Sequence, residues 1–153
     1  MEKKYSSEMP SAVENNALAR LVNFNIETLT DKEIKDLWFN ETMQSELEPD
    51  ITYIESHRYR FDSVEVDNSQ WTRDGIINAI IRDKYRQDEM EAITNNMAAI
   101  TAVFMQTLVS DGIVAATKYL KDSINDENTN RFKEMQEWRA MAKEVAKSII
   151  KDE

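Results

Sequence analysis

Cysteine is absent from the chain. That absence removes disulfides, iron–sulfur clusters and thiolate zinc sites together, and it fits a reducing compartment. Histidine occurs once, at His57. One imidazole excludes histidine-based zinc sites and the paired Glu-x-x-His di-iron motif within a single chain. Two glycines and two prolines in 153 residues are few for an α/β enzyme. No Gly-rich phosphate loop and no Gly-x-Ser-x-Gly nucleophile elbow occurs. The start, Met1-Glu2-Lys3-Lys4-Tyr5-Ser6-Ser7-Glu8, lacks the apolar core of a signal peptide. Basic residues are outnumbered, 19 to 29, for a net charge of −10. Nucleic-acid phosphate and anionic membrane surfaces both need concentrated Lys and Arg, so neither is the expected partner. Solubility and basic partners are favoured instead.

What is present is helical patterning. Ile77, Ile81, Tyr85, Ile93, Met97, Ile100, Phe104 and Leu108 follow steps of three and four, with one gap at Glu89. The charged stretch Arg82–Glu91 is rich in helix formers, so the spacing predicts one long helix from Arg73 to Val109, about 55 Å at about 1.5 Å per residue. Within it, Met97–Val109 is apolar or small on nearly every side. A helix of that kind is expected to be buried all round, in a bundle core or partly by other subunits. It is shorter than the roughly 20 apolar residues that span a bilayer. Ser110-Asp111-Gly112 predicts a turn whose glycine ends one helix and whose Ser or Asp caps the next, which runs to about Ser123.

The remaining segments are read in order. Met1–Met9 is polar and reads as an arm, loose in isolation and held by neighbouring chains. Ser11-Ala12-Val13-Glu14 has the form of a capping box, and Val13, Ala17, Leu18 and Leu21 predict a short helix ending near Val22. Phe24–Glu27 reads as a connector. Thr30-Asp31-Lys32-Glu33 is a second capping box, with Leu29 and Ile34 as a hydrophobic staple, opening a helix that ends between Asn40 and Leu47. From Ile51 to Asp67 the pattern alternates, as in His57–Phe61 and Val64–Val66. Alternation predicts two short strands with Asp62-Ser63 as their turn. After the polar run Asn125–Asn130, the residues Phe132, Met135, Trp138, Ala142, Val145 and Ile149 predict a last helix.

The fold class expected is therefore mainly α. It is a helical bundle with one long central helix, plus a short irregular or β-hairpin-like segment around residues 51–67. Residues 1–10 form an arm, 11–67 short helices and the irregular segment, and 68–153 the scaffold.

Candidate chemistry is sparse. Asp126-x-Asn128-x-Asn130 with Glu137 at the twelfth position has the outline of a calcium loop. Arg131 stands where the loop needs Gly, and Lys133 where an apolar residue packs, so the segment is read as a helix cap. His57 lies in a charged segment without a nucleophile motif. Glu33 and Asp36 form the sort of carboxylate pair expected by chance in an acidic chain. No catalytic residue, metal ligand or cofactor site is assigned. Interface chemistry is richer: Tyr53, Arg58, Tyr59, Arg60, Phe61 and Trp71 mix aromatics with arginine, as binding surfaces do. Met97, Ile100 and Phe104 are the apolar candidates.

In texture, this small, cysteine-free chain with frequent Asn resembles virion proteins of tailed bacteriophages, crAss-like phages among them. The resemblance implies a non-enzymatic component of capsid, neck or tail, present in many copies. Its location would be the virion, assembled in the host cytoplasm, or otherwise the cytoplasm. The expected partners are other protein subunits in a homo-oligomer or larger assembly, without direct nucleic-acid or membrane contact. The alternative is an acidic regulator that occupies a basic, nucleic-acid-binding surface.

Overall fold

The computed structural model describes residues 1–43, 47–124 and 126–151. They form strands β1 (Lys4–Ser6), β2 (Val13–Asn15), β3 (Ala19–Thr28) and β4 (Tyr59–Asp67). Helices α1 (Asp31–Thr42) and α2 (Ile51–Ser56) lie between β3 and β4 in the chain. A 3-10 turn (Asn68–Gln70) precedes α3 (Arg73–Lys84), α4 (Gln87–Asp111), α5 (Ile113–Ser123) and α6 (Glu127–Ile149). The chain divides into two compact units, Met1–Ala79 with Val145–Glu153, and Ile80–Glu144.

The first unit overturns the expectation of a mainly α bundle. It holds a four-stranded antiparallel sheet in the order β1-β4-β3-β2, so the fold is a helix-dominated α+β mixture. The predicted helix ending near Val22 is instead the β2–β3 hairpin, with Val13 opposite Val22 and Asn16 N donating to the Ala19 carbonyl. The Glu14 carboxylate accepts from Asn23 Nδ2 at 2.9 Å and caps no helix. Phe24–Glu27 belongs to β3, and Asp62-Ser63 lies in mid-strand opposite Phe24 and Asn23 rather than in a turn. Pairing explains the difference: the register puts Val22, Phe24, Val64 and Val66 on one face, and all four are buried.

One irregularity shapes this sheet. Phe24 faces Asp62 and Glu27 faces Arg60, so two residues of β3 oppose Phe61. Asn25 absorbs the bulge at φ 52°. Its Nδ2 then reaches Asp62 Oδ2 at 2.9 Å. Asp62 is 2% exposed, and its counter-charge is Lys3 Nζ at 2.9 Å. A buried carboxylate needs such partners. The N-terminal arm is thus tied to this chain's own sheet, through β1 and Lys3, where sequence had suggested neighbouring chains.

α1 starts as its sequence predicts. Glu33 N donates to Thr30 Oγ1 at 3.3 Å and Thr30 N to Glu33 Oε2 at 2.8 Å. The hydrogen bond from the Thr30 backbone holds the Glu33 carboxyl below the usual carboxylate range. Leu29 and Ile34 are both buried. The helix ends at Thr42, with Met43 left-handed at φ 56°. The rest of the predicted end region, residues 44–46, lies outside the described residues, as does Asn125 of the last polar run.

The long helix predicted from Arg73 to Val109 is two helices. The backbone turns at Tyr85 and Arg86, where Arg86 is extended (φ −71°, ψ 155°). Asp88 and Glu89 then occupy the first turn of α4, where the helix dipole favours them. Tyr85, at the break, is 7% exposed and packs in a buried cluster with Ile93 and Met135.

Candidate interaction surface

In the sheet unit, most of the aromatic and arginine candidates already have partners. Arg58 NH1 donates to the Leu29 carbonyl at 2.9 Å and NH2 to Asp31 Oδ1 at 2.8 Å. Arg60 grips Glu27 with two nitrogens, at 2.8 and 2.6 Å, and that contact raises its pKa further. Phe61 is buried, and Tyr59 is half-buried opposite Ser6 and Thr28. Trp71 lies beneath the Arg20 guanidinium, 4.5 Å from the ring centre.

Tyr53 belongs to a run of packed rings. It stacks on His57 at 3.9 Å and meets Trp38 edge-on at 5.0 Å, while Tyr5 lies 4.9 Å from His57. Its hydroxyl donates to Glu41 Oε2 at 2.9 Å. Burial, reinforced by that carboxylate, raises the Tyr53 pKa. His57 Nδ1 lies 2.9 Å from both the Tyr53 carbonyl and Ser56 Oγ. That arrangement caps the end of α2. These residues hold β1, α1 and α2 together inside the unit.

The helical unit is arranged differently. Tyr85, Ile93 and Met135 form its buried cluster, with Met90, Phe132 and Trp138 packed on it. Burial raises the pKa of Tyr85, helped by Glu134 and Glu89. Trp138 Nε1 donates to the Ile80 carbonyl at 3.1 Å, and Lys84 Nζ sits 4.2 Å over the Trp138 ring. Arg131 pairs with Glu89 at 3.3 Å, and Asn96 Nδ2 donates to Asn128 Oδ1 at 3.1 Å. The calcium-like outline is used internally: Asp126 Oδ1 accepts from Asn128 N at 2.8 Å, and Glu137 pairs with Lys133.

α4 packs along α5 as a helical hairpin. Gly112 makes the turn at φ 88°, ψ 178°, a region that side chains avoid. The predicted Ser or Asp cap is missing: α5 has no side-chain cap, and Ser110 Oγ donates back to the Gln106 carbonyl. Met97, Ile100 and Phe104 are half-buried on α4. Thr107 and Leu108 are also half-buried, but the rest of the apolar segment is not enclosed within this chain, which overturns the bundle-core alternative. Val103 is 43% exposed, Met105 53% and Val109 86%. At the turn, Ile113 is 72% and Val114 82% exposed. A shallow open depression of about 550 Å³ follows α5, lined by Ile113, Val114, Thr117, Lys118, Lys121 and Asp122.

Comparison with protein families, with curated proteins and with solved structures returned no match.

The geometry therefore separates two kinds of candidate. Aromatics and arginines of the sheet unit are spent on internal contacts. Among the described residues, exposed apolar side chains are scattered over the sheet unit, as at Leu18 and Ile51, whereas Val103, Met105, Val109, Ile113 and Val114 follow one another along the helix pair. Their signal was present as a long uncharged helix in a strongly acidic chain. Among the described residues, α4 is long and apolar enough by length and composition to cross a membrane, and with 6% of its most apolar window buried it is not a core helix of this chain. Reading only Met97–Val109 as the apolar run was too narrow.

Proposed function

We propose that the protein is a non-enzymatic structural or assembly protein that acts through contacts with other protein subunits, made by the α4–α5 hairpin. The observation that carries this reading is the exposure of Val109, Ile113 and Val114, at 86, 72 and 82%, at one end of a helix pair. Monomeric proteins rarely leave a contiguous apolar patch larger than about 300–600 Å² bare. The small, cysteine-free chain with frequent Asn supports the narrower reading, a repeated component of a tailed-phage particle. A second reading, an acidic regulator of a basic partner, draws on the net charge of −10.

Salt separates the two. Co-expression with the products of neighbouring genes, followed by light scattering, is the test. The assembly reading expects a complex of this chain, with itself or with a neighbour, that keeps its mass at 1 M salt, where the Debye length is about 3 Å. Val109→Glu with Val114→Glu is expected to dissolve it. A complex that falls apart with salt and survives those substitutions supports the regulator. A chain that binds neither itself nor its neighbours contradicts the assembly reading.

A further inference from the structure

α4 carries no charged side chain from Ala92 to Ser110, about 28 Å at about 1.5 Å per residue. Charge returns at both ends, with Asp88, Glu89 and Glu91 before the window and Asp111 after it. Along the window, Ala98, Ala99 and Ala102 are exposed beside Val103, Met105 and Val109. A partner recognised by charge would call for charge on this face, and there is none. The whole chain carries −10, so two copies repel one another on average, and a neutral surface is where they meet with least repulsion. This window is such a surface.

Resting on the assembly reading above, we infer that the exposed face of α4 is covered by the same face of a second copy. The two helices run antiparallel about a two-fold axis near Thr101 and Ala102. Charge sets the register. Overlaying the two neutral windows head to tail puts Thr101 against Thr101, with Ala102 opposite Ile100 and Ala99 opposite Val103, small against larger. A slide of one turn either way brings Glu91 or Asp111 onto the neutral face of the other copy. The antiparallel sense also opposes the helix dipoles and keeps the acidic starts of the two helices apart. Such a contact is isologous, as most homodimer contacts are. A stable pair buries about 800 Å² on each copy. Ile113 and Val114, 72 and 82% exposed, add apolar surface next to this face at the turn into α5.

A bilayer fits this face less well. α5 packs along α4, yet its 11 residues include Lys118, Lys121 and Asp122. Its roughly 16 Å cannot follow α4 across a hydrocarbon core of about 30 Å. The acidic ends of α4 are repelled by anionic lipid.

The lack of native cysteine makes the test direct. In Ala102→Cys the introduced thiol is the sole one, and it meets itself only close to a two-fold axis. Under mild oxidation this variant is expected to form a covalent dimer nearly completely at micromolar concentration, while Asn95→Cys stays monomeric. The unmodified chain is expected to scatter as two copies of 17.8 kDa. Val109→Glu should keep the far-ultraviolet dichroism and weaken pairing by about 30-fold or more. A chain monomeric at about 100 μM, or one that floats with phosphatidylcholine vesicles instead of pairing, overturns the inference. So does a dimer indifferent to Val109→Glu, or equal cross-linking at both positions, which marks a parallel pair. A chain that is monomeric alone but bound at Val109 by a neighbouring gene product refutes self-pairing and leaves the assembly reading standing.

Discussion

Phe61 and Val109 are both apolar and both sit among residues that sequence marks for contact with protein. Phe61 is 7% exposed in the sheet unit, and Val109 is 86% exposed on the hairpin. Around Phe61 the neighbouring arginines are bound to Leu29, Asp31 and Glu27 of the same chain. Around Val109, Met105, Ile113 and Val114 are also bare. The lesson is that composition typical of interfaces also serves contacts within one chain. Aromatics and arginines are good at satisfying each other within a small sheet. A neutral aliphatic helix face that nothing covers is the stronger sign.

The contrast is sharpest in paired truncations of similar side chains. Ile34→Ala, at a fully buried site, is expected to destabilise the sheet unit by about 2–5 kcal/mol. Val109→Ala should stay within about 0.5 kcal/mol in the dissociated chain. Urea unfolding at low protein concentration, read through the midpoint, checks both; equal losses would erase the distinction between the units.

The two glycines extend the comparison with smaller effects. A Cβ on Gly75 would lie 1.8 Å from the Gln70 carbonyl oxygen, a backbone atom that cannot swing aside. Gly75→Ala is therefore expected to cost about 1–3 kcal/mol through overpacking. Around Gly112 a Cβ meets nothing within 4 Å, so only its positive φ resists substitution. Thermal melts of Gly75→Ala and Gly112→Ala should rank them in that order. A more damaging Gly112→Ala would mean that the turn is less open than it stands here.

The smallest effect lies at the start of α1. Thr30→Ala is expected to cost about 1 kcal/mol. The Glu33 half of the cap depends on pH. Its carboxyl is held below the ordinary value of 4.5 by the Thr30 backbone hydrogen bond. Its contribution is thus present above pH 4.5 and fades as pH falls through the lower folded value. Glu33→Gln should flatten that acid-side loss in a pH series of urea midpoints; an unchanged slope would contradict the assignment.

Legibility followed the range of the interactions. The Thr30–Glu33 box was readable because both partners sit within one turn. The sheet was hidden because β1 and β2 are three residues each, and β1 is held only by the distant β4. Val13, Ala17, Leu18 and Leu21 imitate helical spacing, while the period of two in Arg20, Val22 and Phe24 is broken by the bulge at Asn25. Asp62-Ser63 resembled a turn because both residues are polar. A mid-strand place for Asp62 requires Lys3 and Asn25, which no local window contains. In α4 the helix itself was legible. Its exposure was not, because the same apolar pattern serves a buried helix and one awaiting a partner.

Amide hydrogen exchange of α4 across a dilution series addresses the central claim most directly. If a second copy covers the neutral face, amides from Ala92 to Ser110 should exchange more slowly as concentration rises, while those of β3 and β4 stay constant. Exchange in α4 that is independent of concentration, from nanomolar to about 100 μM, would contradict it.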